Sequence, residues 1–222
     1  MKKKVCVVTA DFGNHIKNFN PIIPKQNEDL YEVIIKIYDD NNTTSRINSL
    51  HPRTKGKIPK MLEWMETESD YYIWIDFKFK VKSENFVNDI INYLGDYEIC
   101  LFEHPNRDSI KKEGDFVLSG IINNDEYLID RYSGEKIKEQ IDFYLNDKDF
   151  VDQNLFSLGF FVFSKKLIIN KDYNLMTDWF FHNCYWSIQD QLSLPYLLQK
   201  HKTKYKTFNF NIFFNNYTEY RF

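Results

Sequence analysis

Short runs of β-branched and aromatic residues alternate along the chain with stretches whose apolar residues recur every three or four positions. "VCVVTA" (5–10) is a run of the first kind, and "DFGN" after it is turn chemistry. "YEVIIKIY" (31–38) predicts a second strand, closed by "DDNN", and "YYIWID" (71–76) a third. "PKMLEWMETES" (59–69) sets Met61, Leu62, Trp64 and Met65 near helical spacing behind Pro59, which predicts a helix starting there. In "SENFVNDIINYLG" (83–95), Phe86, Val87, Ile90, Ile91 and Leu94 share one helical face, with Ser83 as N-cap and Gly95 as terminator. "YEICLFEH" (97–104) and "LFSLGFFVFS" (155–164) read as further strands. "EKIKEQIDFYLND" (135–147), "NLMTDWFFHNCYW" (174–186) and "DQLSLPYLLQKH" (190–201) read as helices.

Strands alternating with helices predict an α/β sandwich with a largely parallel sheet, in which ligands lie beyond the carboxyl ends of the strands. Asp11, Asp39, Asp40, Asp76 and His104 all fall where strands are expected to end. The 222 residues suffice for one domain with a full core, so a single domain over 1–222 is expected.

Composition narrows the classes. A net charge of -3 speaks against a bulk nucleic-acid binder, and no run approaches the about 18 apolar residues of a membrane span. The apolar run behind "MKKK" ends at Asp11, too short for a signal peptide. Cys6, Cys100 and Cys184 lack metal or redox spacing and read as buried thiols, so a cytoplasmic setting is expected. The 18% of aromatic residues fits either a sugar-stacking surface or a coding bias towards Lys, Asn, Ile, Tyr and Phe.

Candidate chemistry gathers at the strand ends. Asp40 follows the second strand, where α/β nucleotide sites place an acid on a ribose or base; a turn with Asn41 and Asn42 is the structural alternative. Neither G-x-G-x-x-G nor a P-loop is present, so dinucleotide and P-loop chemistry find no support. "HPRTKGKIPK" (51–60) carries Arg53, Lys55, Lys57 and Lys60, either a solvated loop or cations set against a diphosphate. Asp76 ends an apolar run, and Lys78 shares its face if the strand continues. In "HPNRD", Arg107 offers a planar fork for phosphate or a sugar diol, or an ion pair to Glu113 that orders the loop. His104 beside it reads as a hydrogen-bonded structural residue or a catalyst. Gly159 inside a strand marks a close approach, here by a donor or acceptor sugar. Asp190 at a helix start is a natural N-cap.

Five segments then occur in a fixed order: "GKIPKMLEW…DYYIWIDFKFKV", "FEHPNRDSIKKEGDFV", "EQIDFYLND", "LFSLGFFVFSKK" and "MTDWFFHNCYWSIQDQLSLPYLL". Together they resemble the glycosyltransferase-like domain, formerly a domain of unknown function, of plant cell-wall proteins, bacteria and large DNA viruses. The resemblance implies a GT-A fold and sugar transfer from a nucleotide sugar to a glycan or glycoprotein acceptor. It implies donor contacts from Thr9, Asp11, Asp40, Arg53, Lys57, Lys60, Lys78, His104 and Arg107. It further implies acceptor contacts from Ser157, Gly159 and Trp186, with Asp76, Asp190 and Gln191 at the reacting centre. Most GT-A enzymes hold Mn²⁺ or Mg²⁺ through D-x-D, and here the counterpart is Asp76-Phe77-Lys78, without the second carboxylate. Either Asp76 holds a metal with other ligands, giving a weak metal requirement, or Lys78 and the 53–60 cluster replace the ion. An inverting enzyme would use Asp190 as general base; a retaining one would place Asp190 or Gln191 beside the oxocarbenium-like centre. The competing class is a non-catalytic glycan- or nucleotide-sugar-binding protein on a degenerate transferase fold. A nucleotidyltransferase would need a Gly-rich, Lys-containing loop after the first strand, which is lacking.

Overall fold

Alternation along the first strand divides the molecule into two layers. The computed structural model of the protein describes residues 2–13 and 23–221, so Asn14 of the "DFGN" turn lies outside the described residues. In β1 (Lys3–Asp11), Cys6, Val8 and Ala10 face one core, and Val5 and Val7 the other. The chain continues through β2 (Tyr31–Asp39), α1 (Ser45–Asn48), α2 (Pro52–Glu66), β3 (Tyr71–Ile75) and β4 (Phe79–Val81). Next come α3 (Phe86–Leu94), β5 (Ile99–Glu103), α4 (Ile110–Ile122), α5 (Glu126–Tyr132) and α6 (Ile137–Leu145). It closes with β6 (Phe156–Ser164), α7 (Leu175–Tyr185), α8 (Asp190–Lys200), β7 (Tyr205–Thr207) and β8 (Thr218–Tyr220).

The expected α/β sandwich forms around a six-stranded sheet of order β2-β1-β3-β6-β5-β7. β1 runs parallel to β2 and β3, and β7 parallel to β5; β6 is antiparallel to both its neighbours. On one face Trp74, Phe161 and Phe163 pack with Met61 of α2, Trp179 of α7 and Leu197 of α8. On the other, Ile73, Ile75, Phe160 and Val162 pack with Phe86, Ile90 and Leu94 of α3. β4 and β8 make a separate two-stranded antiparallel sheet beside the end of β3. Among the described residues no helix is long and apolar enough to cross a membrane.

Several expectations need correction. The helix before β3 begins at Pro52, not Pro59: the His51 side chain caps it by accepting from the Arg53 N–H, and Pro52 takes the first turn, where a missing N–H is harmless. The basic cluster is therefore helical rather than a loop, and its spacing sets Arg53, Gly56, Lys57 and Lys60 along one face. Asn85, not Ser83, occupies the N-cap of α3, while Gly95 ends that helix at φ +59° as expected. Asp190 is the first helical residue of α8, behind Gln189 at the N-cap. β3 stops at Ile75, and the chain turns through Asp76, whose carbonyl accepts from the Phe79 N–H at 2.9 Å. Cys6 and Cys100 are buried, with thiols pushed up to about 12 by burial, but Cys184 is exposed.

Candidate functional site

Where β1 and β3 end, the chain opens a cleft of about 610 Å³. Ala10, Phe12 and Trp74 lie along its sheet side, and the Asp76–Lys78 turn forms one rim. The basic face of α2 makes a wall with Arg53, Gly56, Lys57 and Lys60. Opposite stand Tyr127, Asp130, Arg131 and Tyr132 of α5, the Ile188–Asp190 entry to α8, and Tyr220 of β8. The cleft thus lies beyond the carboxyl ends of these strands, with helices supplying most of its charge.

Asp190 joins the two walls. One carboxylate oxygen receives Lys57 Nζ at 2.5 Å and Lys60 Nζ at 2.7 Å, and the Trp179 indole N–H donates to the Asp190 carbonyl at 3.1 Å. Burial alone would raise the Asp190 carboxyl, but the two ammonium groups hold it well below the usual carboxylate range. Burial pushes Lys57 down to about 8; Asp190 acts against this, and Lys60 adds to it. One carboxylate shared by two lysines leaves Lys57 short of negative charge.

Arg53 reaches α5, donating to the Asp130 carboxylate at 2.7 Å and to its carbonyl at 3.3 Å. Its neighbour Arg131 has no such carboxylate among the described residues. Its guanidinium lies over the Tyr127 ring, 4.7 Å from the centroid, and its buried Nε lacks a hydrogen-bond partner. The Trp74 indole N–H, on a residue only 6% exposed, is likewise a buried donor without an acceptor. Asp76 and Lys78 make neither an ion pair nor a side-chain hydrogen bond within the described residues. Five cations (Arg53, Lys57, Lys60, Lys78, Arg131) face three carboxylates (Asp76, Asp130, Asp190), so the described lining carries two positive charges in excess.

Six expected site residues meet in this cleft: Arg53, Lys57, Lys60, Asp76, Lys78 and Asp190. The others lie outside its lining. Thr9 and Asp11 alternate onto the opposite face of β1, with Val5 and Val7. Asp40 accepts from the Gly13 N–H at 2.7 Å and pairs with buried Lys55, tying the end of β1 to α2. Arg107 pairs with buried Glu113, whose other oxygen accepts from the Gln189 side-chain amide at 2.7 Å; it braces the cleft wall from behind. His104 Nδ1 accepts from the Arg107 N–H at 3.1 Å, and burial lowers its pKa despite Glu113. Gln191 donates to the Phe156 carbonyl at 2.8 Å, Ser157 is buried in β6, and Trp186 packs on Phe143 at 5.2 Å. At Gly159 a Cβ would stand 2.8 Å from the Phe79 ring and 3.8 Å from Asp76 Cβ. The group packed on this glycine is the Phe79 ring, and the glycine lets the β3–β4 turn fold down onto β6.

Sequence reasoning missed the α5 contribution. Asp125 caps that helix by accepting from the Leu128 N–H at 3.1 Å, and Tyr127 precedes Arg131 by one turn. That cap and the i, i+4 aromatic–cation pair were the available signals.

The side chains of the cleft do not by themselves make a cage for a divalent cation. Hard cations want several oxygen donors, and among the described residues no group of three His, Cys, Asp or Glu side chains is assembled. Asp130 and Asp190 are already ion-paired, which leaves Asp76 alone among cations.

A family model described as TOD1/MUCI70, glycosyltransferase-like domain, matches residues 3–221. No curated protein matches by sequence. Among solved structures, the apo WbbM bifunctional glycosyltransferase aligns with a TM-score of 0.50 at 13% identity, over 94% of this chain and 39% of that one. Mouse xyloside xylosyltransferase 1, apo form, gives 0.48 at 8% identity, over 92% and 85% of the two chains. The glycosyltransferase GlyE of Streptococcus pneumoniae TIGR4 gives 0.45 at 10% identity, over 94% and 45%. The likeness to WbbM is one of fold, a GT-A-like α/β sandwich, and this chain spans well under half of that protein's length.

Proposed function

The chain belongs to the TOD1/MUCI70 glycosyltransferase-like family, and from that premise we propose that it moves a sugar from a nucleotide-sugar donor to a hydroxyl of a glycan or glycoprotein. The observation that carries this reading is the cleft at the carboxyl edge of β1 and β3, positive overall yet holding a carboxylate, Asp76, that has no ion pair among the described residues. Positive charge suits the donor diphosphate, and a free carboxylate suits a hydroxyl that must lose its proton.

In the proposed step the acceptor hydroxyl oxygen bonds to the anomeric carbon. The bond from that carbon to the diphosphate oxygen breaks, leaving its electron pair on the diphosphate, and the hydroxyl proton passes to Asp76. Asp190 is assigned a positioning role: a carboxylate held between two ammonium groups is a weak base, but it fixes Lys57 and Lys60 on the cleft wall. Gln191 steadies the start of α8 through the Phe156 carbonyl. The free thiols of Cys6, Cys100 and Cys184 suit a reducing, cytoplasmic setting.

A panel of nucleotide sugars, with and without candidate acceptors, tests this reading. One donor should stabilise the fold, by roughly 2.7 kcal/mol at 100 times its dissociation constant, and should release nucleoside diphosphate. Stabilisation without any turnover would identify a binding protein instead, and the absence of both would remove the donor reading altogether.

A further inference from the structure

We infer that the donor diphosphate is held, and its departing charge offset, by Lys57, Lys78 and Arg131 of this chain, without a divalent metal ion. The inference rests on the transferase reading above and deepens it.

The first support is charge. A nucleoside diphosphate sugar carries two negative charges on its phosphates, and the described cleft lining carries two positive charges in excess. A bound dication would double that excess and oppose its own binding. The second support is donor chemistry. Lys78 and Arg131 have no carboxylate partner among the described residues, and Arg131 Nε and Trp74 Nε1 are buried N–H groups without acceptors. These groups are all hydrogen-bond donors; they accept nothing and bind no cation. Phosphate oxygens are the acceptors such a set requires, and a guanidinium fork fits them in pairs. Arg131 is already oriented by the Tyr127 ring beneath it, so little ordering remains when a ligand arrives.

The chemistry closes without an added reactant. When the anomeric C–O bond breaks, its electron pair stays on the terminal phosphate oxygen, and the nucleoside diphosphate gains a third negative charge. Fixed cations beside that oxygen stabilise the charge as it develops, the role a metal ion otherwise plays.

The test uses the full chain, freed of metal with a chelator, and follows the binding of ADP, CDP, GDP and UDP by calorimetry. The nucleotide that binds is expected to do so with the same affinity in chelator as in added Mn²⁺ or Mg²⁺. Lys78→Ala and Arg131→Ala should each weaken it by about tenfold in chelator, and Lys78→Arg should restore it. Lys78→Asp, which places a second carboxylate two residues after Asp76, should lose binding in chelator and regain it with Mn²⁺. Wild-type binding that vanishes in chelator and returns with metal overturns this inference while leaving the transferase reading intact. Binding of no nucleotide under either condition overturns both.

Discussion

Asp190 and Asp76 line one cleft, yet Asp190 sits between two ammonium groups at 2.5 and 2.7 Å, while Asp76 meets no side-chain partner among the described residues. Asp190 belongs to the junction of α2, α7 and α8, where Trp179 also grips its backbone. Asp76 stands on a turn between two sheets, supported only through its backbone. The difference separates a carboxylate that builds the wall from one that is free to meet a ligand. It is also why the base role is proposed for Asp76 rather than Asp190: motif position does not report whether a charge is already neutralised.

That contrast can be broken by experiment. The largest effect is expected for Asp76→Asn, which should cut the rate of sugar transfer by about 10²–10⁴-fold and leave the melting temperature unchanged. If Asp190→Asn instead abolished turnover at unchanged stability, the two roles would have to be exchanged. Asp190→Asn is expected to cost about 3–5 kcal/mol in urea unfolding, because it strands two lysines at a buried site. Gly159→Ala should cost about 1–3 kcal/mol, since its methyl would press on Phe79, and should lower activity further by shifting Asp76. The subtlest test is pH. Lys57 binds an anion as an ammonium, so nucleoside diphosphate affinity should fall as pH rises through about 8, and Lys57→Arg should flatten that fall. The sign for the unliganded fold is opposite. Between about 8 and the ordinary lysine value the folded chain holds fewer protons than the unfolded one, so Lys57 contributes stability as pH rises through that window.

Much of the sheet was legible. β1, β3, β5 and β6 are runs of Val, Ile, Tyr and Phe, and burial on both faces makes such runs continuous, while β2, at the sheet edge, stays only half-buried. The reversed direction of β6 was not legible, because a buried strand reads alike in either orientation. α4 was hidden by Gly114 and Gly120, which weaken helical propensity. Both are dictated by packing: a Cβ at Gly114 would stand 1.8 Å from Ile141 Cδ1, and one at Gly120 2.2 Å from Leu128 Cδ1. α5 has only seven residues, too few for a periodicity to stand out, and Arg131 was missed with it. Of the cleft lining, the α2 cations were legible as a cluster inside one ten-residue stretch, and Asp76 because a carboxylate is costly at the end of an apolar run. Thr9 and Arg107 were expected at the site through the family resemblance, and Asp11 also through its place at a strand end, and neither ground fixes which face a side chain takes.

The cleft's lining runs from Ala10 on β1 to Tyr220 on β8, with α2, α5 and α8 between. During synthesis, therefore, the pocket has all its walls only after Tyr220 has left the ribosome. The last wall is held in place by the aromatic packing of the β4–β8 pair, where Phe79 meets Tyr220 at 5.4 Å, so loss of either ring should open the cleft at that side.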